Sequence, residues 1–309
     1  MPAIFTITLN PVVDKSTSVE GIRPHIKLRC ASPVMYPGGG GINVSRALKK
    51  LGSDSLCIYL AGGPTGIQLD QLVAREGVRQ QPIRIAGTTR DNLAVLDTTT
   101  GLQYRFCIPG PEVSREEWEG SLGQLEKALK KGDYLVASGK LPPGIPDDFY
   151  VRVAAICHRK NVRMVLDTSG AALEKGARAG VFLLKPNLGE LSTLCGVTSI
   201  TTENLEPLVR AFMKENSCEI LVVSLGARGA LWARADMLKY VTAPVVEQKS
   251  TIGAGDSMVA GMVLFHKQGK STEEMVRFGV ACGTAATMRP GTELCRLEDA
   301  ERLFGWLNK

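Results

Sequence analysis

Histidine is scarce in this chain of 309 residues, and none of the three, His25, His158 and His266, stands at metal-ligand spacing from another. Each reads as a surface or packing residue, so any metal is expected on carboxylates and phosphates rather than imidazoles. The eight cysteines, at 30, 57, 107, 157, 195, 218, 282 and 295, form no Cys-x-x-Cys pair and no regular spacing. That removes a disulfide scaffold and a zinc module and leaves reduced thiols. Long apolar runs are missing too: the longest, Met258 to Phe265, is far too short to span a bilayer. The N-terminus opens on strand-like Ile4 to Leu9 rather than on a charged-then-apolar leader, so a cytoplasmic chain without a membrane partner is expected. Repeats, low-complexity tracts and interdomain linkers do not occur. The net charge of +6 comes from 37 basic and 31 acidic residues scattered without blocks. This suits small anionic substrates and offers nucleic acid no patch.

What is present is 44% hydrophobic residues, ample for one large α/β domain or two small ones. From Tyr134 onward strands and helices alternate: Leu135 to Ala137, a helix near 147–160, then Val162 to Asp167. Such alternation builds a parallel sheet covered on both faces. The N-terminal half carries strands of another kind. Ile26 to Val34 reads as a strand with Lys27 and Arg29 on one face. Residues 92–97 and 103–108 read as a hairpin turning through Thr98-Thr99-Thr100-Gly101, preceded by Arg90 and carrying Arg105. Their polar faces do not suit a buried parallel core.

The most informative stretch is Thr251-Ile252-Gly253-Ala254-Gly255-Asp256-Ser257, leading into an apolar run. Glycines at 253 and 255 let backbone approach a ligand, and the amides of a first helical turn form an anion hole. An acid there repels phosphate but suits a general base that takes a proton from an attacking hydroxyl. Spacing alone leaves equally open that Asp256 caps a helix begun by Ser257. Asp14 follows the Asn10-Pro11 break at the end of a strand, where ligands of open α/β sheets collect and where turns also form. The run Pro37 to Gly41 opens a helix, but Asn43 stands where a dinucleotide fingerprint needs its third glycine, which argues against an oxidoreductase. Ser138-Gly139-Lys140 is no Walker loop, because Tyr134 and Leu141 occupy positions that must be Gly and Ser or Thr. Lys185-Pro186-Asn187-Leu188-Gly189-Glu190 sets an Asn and a Glu one helical turn apart, fit to order water around Mg²⁺ or simply to cap a surface helix. Ile220 to Leu231 reads as strand, glycine turn and strand, and Val280 to Met288 as a helix ended by Pro290-Gly291.

Gly-Ala-Gly-Asp before an apolar helix, the Gly38 to Arg46 run with Asn43, Thr-Leu-Asn-Pro followed by Asp14, Thr89-Arg90-Asp91-Asn92 and Gln103-Tyr104-Arg105-Phe106 together resemble the ribokinase-like sugar kinases, the phosphofructokinase B family. The likeness covers nearly the whole chain and is greatest to the bacterial 6-phosphofructokinase branch. It implies a single α/β domain over 1–309, three-layered, with a mainly parallel central sheet and a small β-sheet lid from about 12–36 and 88–109 that also makes a homodimer. It implies ATP- and Mg²⁺-dependent phosphorylation of a ketohexose phosphate, fructose 6-phosphate giving fructose 1,6-bisphosphate. Fructose 1-phosphate and tagatose 6-phosphate are the alternative acceptors, and a sugar-phosphate-binding protein without turnover is the alternative class. By the same resemblance Asp256 is the base, and the amides of Gly253, Ala254 and Gly255 steady the transferring phosphoryl group. Asp14, Gly39 and Asn43 hold the sugar, and Arg90, in the family's Thr-Arg-x-Asn pattern, grips its phosphate; by their place on the lid strands and at a strand end, Lys27, Arg105 and Lys140 are further candidate cations for that phosphate. Lys185, Asn187, Ser224, Gly226 and Gly229 belong to the nucleotide, and Glu190 orders Mg²⁺ through water. The backbone around Ser250, Ile252, Ala286 and Gly291 matches the place where related kinases hold a monovalent cation such as K⁺. Lys140 departs from the family pattern, which has serine there.

Overall fold

In the computed structural model, which describes residues 2–215, 218–235 and 237–308, short runs of branched and aliphatic residues become the strands. In chain order these are β1 (Ile4–Thr8), β2 (Val12–Val19), β3 (Val34–Gly38), β4 (Leu56–Ala61), β5 (Arg79–Arg84), β6 (Arg90–Asp97), β7 (Gln103–Phe106), β8 (Tyr134–Ser138), β9 (Arg163–Asp167), β10 (Leu183–Leu184), β11 (Ile220–Ser224), β12 (Ala230–Arg234) and β13 (Met237–Val241). Nine of them form one sheet in the order β13-β12-β11-β10-β9-β8-β1-β4-β5, parallel from β11 to β5 and antiparallel at β12 and β13. β1 and β8 are buried along their whole length. Phe5, Ile7, Leu135 and Ala137 pack on one face under Arg115–Ala128, Phe149–Lys160 and Thr202–Glu215, whereas Ile4, Tyr134 and Val136 pack on the other under Gly40–Lys50, Ala254–Lys267 and Thr272–Thr287. Helices on both faces of a parallel sheet give three layers, as the alternation of strands and helices predicted.

The chain leaves β1 toward β4 and β5 and returns on the other side to β8, so strand order reverses beside β1. In open α/β sheets that reversal opens a crevice at the strands' C-terminal ends. The glycine run lies across it. A Cβ on Gly40 would come within 2.1 Å of Ser138 Oγ at the end of β8, and one on Gly41 within 2.6 Å of Thr8 Oγ1 at the end of β1. Only backbone fits there.

A second, four-stranded sheet, β3-β2-β6-β7, stands apart from the first. The hairpin of β6 and β7 is the one read from the sequence, but Ile26 to Val34 is not a strand. Residues 20–33 run as an irregular, largely exposed segment tied to β2 by the Ala31 amide on the Ser18 carbonyl at 2.9 Å, and the ladder resumes at Val34. Pro24 and Pro33 offer no N–H to a ladder, and His25 has a positive φ of 61°. The strand in that region is β2, whose third residue is Asp14, so Asp14 lies inside a lid strand and not at the end of a core strand. Two helices also differ from expectation. The helix that carries Asp256 begins at Ala254, ahead of Ser257, and the helix expected over 280–288 starts at Thr272, behind a capping box of Ser271 and Glu274. Among the described residues no helix is long and apolar enough to cross a membrane.

Candidate active site

Gly253 ends the loop before the helix Ala254–Lys267 with φ of 74°, and a Cβ there would meet Leu294 Cδ2 at 2.3 Å, so both conformation and space require glycine. Among the described residues the amides of Gly253, Gly255 and Asp256 donate to no protein group. The Ala254 amide instead turns back to the Thr251 carbonyl at 3.4 Å. Three free amides at a helix N-terminus form an anion site. Asp256, in the first turn, does not cap this helix. Its carboxylate accepts from Asn43 Nδ2 at 3.0 Å, on the helix Gly40–Lys50. Burial pushes the Asp256 carboxyl up to about 7 and the nearby Asp167 adds to this, while the Asn43 donor, Lys185 and Arg46 act in the opposite direction.

Asn43 is itself committed: its Oδ1 accepts from Arg46 Nη1 at 3.0 Å, and Arg46 Nη2 reaches Glu76 Oε1 at 2.7 Å. On the facing side, Lys185 follows β10, 6% exposed, with Nζ 3.2 Å from Asp167 Oδ1 at the end of β9. Burial alone would lower the lysine, but Asp167, Glu190 and Asp256 outweigh it and hold its pKa above the usual value. A Cβ on Gly255 would sit 3.5 Å from Lys185 Nζ, so the ammonium abuts the anion site.

Asn187 and Glu190 begin the helix Leu188–Leu194 as a capping box: Asn187 Oδ1 accepts from the Glu190 amide and Glu190 Oε2 from the Asn187 amide, both at 2.9 Å. The structure shows the capping reading of this spacing, and the cap uses one Glu190 carboxylate oxygen. Burial and then Asp167 raise Glu190, against its own cap bond, Lys185 and Lys140. Lys140 is exposed, and its charge is among those that lower Glu190. The Ser224 amide donates to the Pro186 carbonyl at 2.9 Å, which sets Ser224 beside Asn187. Gly226 faces open space. A Cβ on Gly229 would lie 2.0 Å from the Val241 carbonyl oxygen, so packing against β13 accounts for that glycine.

Under the lid, Asp14 Oδ1 accepts from Asn92 Nδ2 at 3.0 Å, and a Cβ on Gly38 would fall 2.2 Å from Asp14 Oδ2. Gly39 supplies the N-cap of Gly40–Lys50. Burial raises Asp14, and Asn92, Arg105, Arg90 and Arg46 counter it. The Arg90 guanidinium donates to the carbonyls of Asn10 at 3.2 Å and Ile108 at 3.1 Å. Asp14, Tyr36, Asn92 and Arg105 line a cavity shared with Ile252 and Gly291. Lys27 lies outside that lining, exposed in the irregular segment. Ser250 Oγ donates to the Gly291 carbonyl at 2.9 Å and accepts from the Ile252 amide at 3.2 Å, while the Ala286 carbonyl takes the Arg289 amide at 3.1 Å.

The fold thus gathers Asp256, Asn43, Lys185 and Glu190 at one crevice and Asp14, Arg90 and Arg105 at the lid. Sequence reasoning missed Asp167, Arg46 and Asn92. Asp167 carried a readable signal, an acid closing a parallel strand; so did Arg46, a charge set among the buried Val44, Ala47 and Leu48.

Residues 3–300 match the pfkB family carbohydrate kinases. The chain is 39% identical over 313 residues to the ATP-dependent 6-phosphofructokinase isozyme 2 of Escherichia coli K12, covering 100% of both chains. It is 34% identical over 292 residues to the 1-phosphofructokinase of Bacillus subtilis, covering 94% of this chain and 95% of that one. The crystal structure of phosphofructokinase-2 from Escherichia coli in complex with potassium superposes with a TM-score of 0.96 at 38% identity, covering 100% of both.

Proposed function

The chain belongs to the pfkB family of carbohydrate kinases, with the ribokinase-like fold, and from that membership we propose that it transfers the γ-phosphoryl group of ATP to fructose 6-phosphate, giving fructose 1,6-bisphosphate. The observation that carries the reading is a carboxyl held near neutrality by its surroundings, Asp256, in the same helical turn as free amides and beside the Lys185 ammonium. A base of that proton affinity suits deprotonation of an alcohol at physiological pH. Asn43 occupies one carboxylate oxygen and leaves the other for the acceptor hydroxyl. The amides of Gly253 and Gly255 and the Lys185 ammonium then stabilise charge on the transferring group. Ala254 contributes less, its amide being turned away.

Magnesium, which kinases of this family use with ATP, fits the Glu190 side: the capping box takes one carboxylate oxygen, and burial beside Asp167 leaves the other short of positive charge. When bound, the ion neutralises charge across the nucleotide phosphates. Asn187, Ser224 and Gly226 lie along the same edge of the sheet, toward the nucleotide. The loop tied by Ser250 to Gly291 is where we place a monovalent cation, following the potassium-bound relative. With all eight cysteines unpaired, the cytoplasm is the fitting compartment.

Asp14, with Asn43 and the Gly39 turn, faces the sugar, and Arg90 and Arg105 take its phosphate. Arg90 is the stronger candidate, because two backbone carbonyls fix its guanidinium in place. ADP release measured with fructose 6-phosphate, fructose 1-phosphate, tagatose 6-phosphate and free fructose tests the reading. Fructose 6-phosphate should give the highest kcat/KM, and Arg90→Ala should lower it by about 10- to 100-fold, with little effect on free fructose. Equal activity on free and phosphorylated hexoses, or no ADP release at all, would overturn it.

The lid supports a homodimer. Val34, Leu96, Leu102, Tyr104 and Phe106 are each at least 40% exposed on one small sheet and its turn. Val34 and Leu96 lie on one face of that sheet and Tyr104 and Phe106 on the other, and apolar side chains so exposed suit association with a second copy. Sedimentation at assay concentration should show twice the 33.2 kDa chain mass; a species of single mass would remove the dimer.

A further inference from the structure

We propose that Arg46 is a positioning residue for the transfer: through Asn43 it decides which end of an amide faces Asp256, and thereby holds the carboxylate with one oxygen free. The inference rests on the reading of Asp256 as the base. Arg46 is 1% exposed on the helix Gly40–Lys50, one turn beyond Asn43. Its Nη1 donates to the Pro37 carbonyl and to Asn43 Oδ1, both at 3.0 Å, and its Nη2 to Glu76 Oε1 at 2.7 Å. Glu76 stands at the C-terminal end of Gly63–Arg75, 23% exposed and also 3.6 Å from Lys50.

A guanidinium only donates, whereas a carboxamide has one donating and one accepting end. With Arg46 on one side, Asn43 must turn its oxygen to the guanidinium, and its Nδ2 then faces Asp256 Oδ2. Among the described residues Arg46 is the one donor to Asn43 Oδ1, and without it the rotated amide would set oxygen against carboxylate. Glu76 is the outer anchor, the carboxylate directly paired with this buried cation. Hydrophobic side chains of similar size fill such space equally well in stability terms, so packing alone does not account for an arginine here.

The test is a set of kinetic cycles. Arg46→Met should lower kcat about 10- to 100-fold with the KM for each substrate within about twofold, and Glu76→Ala, on the protein rim, should lower kcat about 3- to 10-fold in the same pattern. In an Asp256→Asn background each substitution should cost less than about twofold, because the carboxylate they orient is gone. The proposal is overturned if kcat is unchanged in both variants, if KM rises instead of kcat falling, or if the full loss persists in the Asp256→Asn background. Should Arg46→Met not fold, Glu76→Ala alone decides by the same criteria. Near-native kcat in Asp256→Asn itself would overturn the assignment of the base, a separate outcome from a failure of coupling between the sites.

Discussion

Asp256→Asn is expected to lower kcat by about 10²–10⁴ while making the protein harder to unfold at pH 8. The two effects have one cause. Burial, with Asp167 adding to it, lifts this carboxyl from 3.8 to about 7 in the folded chain. Between those values the native state binds a proton that the unfolded state has released, so stability falls as pH rises through this window and stays reduced above about 7. At roughly 1.4 kcal/mol per pKa unit the ceiling is about 4 kcal/mol, and solvent reaching a partly exposed carboxylate brings the expected gain to ~1–3 kcal/mol. Asparagine keeps an oxygen for the Asn43 donor and carries no charge to bury. Urea unfolding should therefore show the variant ahead at pH 8 and level with the parent near pH 4. In the parent, kcat/KM should rise with pH and level off above about 7. A variant with near-native kcat, or with no gain in stability at pH 8, would sink the assignment.

Lys185→Met is expected to cost about 10²–10³ in kcat/KM for ATP and to destabilise the fold by ~2–4 kcal/mol. Lys185 stands between Asp167, Glu190 and Asp256, and methionine fills its volume without its charge. The acids then face one another uncompensated. Their proton affinities rise further, and the acid limb of the pH–rate profile should move above its position in the parent. Adding Asp167→Asn should recover much of the stability, because it relieves the buried charge, but not the activity, because no cation returns to the anion site. An unmoved acid limb, or recovery of activity in the double variant, would show that Lys185 acts only as a structural ion-pair partner.

The parallel core was legible because β8 and β9 bury both faces, so continuous apolar runs between helical segments carry the signal locally. The lid was legible only in part. β2 reads Val-Val-Asp-Lys-Ser-Thr-Ser-Val, with a polar middle no pattern marks as strand, and it is one because β3 and β6 supply partners on either side. Ile26 to Pro33 looked like a strand but meets β2 through the Ala31 amide on the Ser18 carbonyl and forms no ladder. At the site, local chemistry left Asp256 open between base and helix cap, and the family resemblance favoured the base; the structure shows that it does not cap its helix. Its surroundings were not legible, because Asn43 reaches it from 213 positions away and Asp167 from another strand. The meeting of groups that sets a proton affinity exists only in three dimensions.

β1 lies inside the large sheet, flanked by β4 and β8. Its two neighbours leave the ribosome at different times. β4 ends at Ala61, but β8 begins only at Tyr134, and at ~5–20 residues per second the interval between them lasts roughly 4–15 s. Throughout it the nascent chain carries the strand Ile4-Phe5-Thr6-Ile7-Thr8 with one edge open, a template for pairing with other chains. Ribosome-associated holdases should therefore bind nascent chains that have exposed β4 and release them once residues 134–138 emerge. A polypeptide cut short between the two strands should aggregate where the full chain does not.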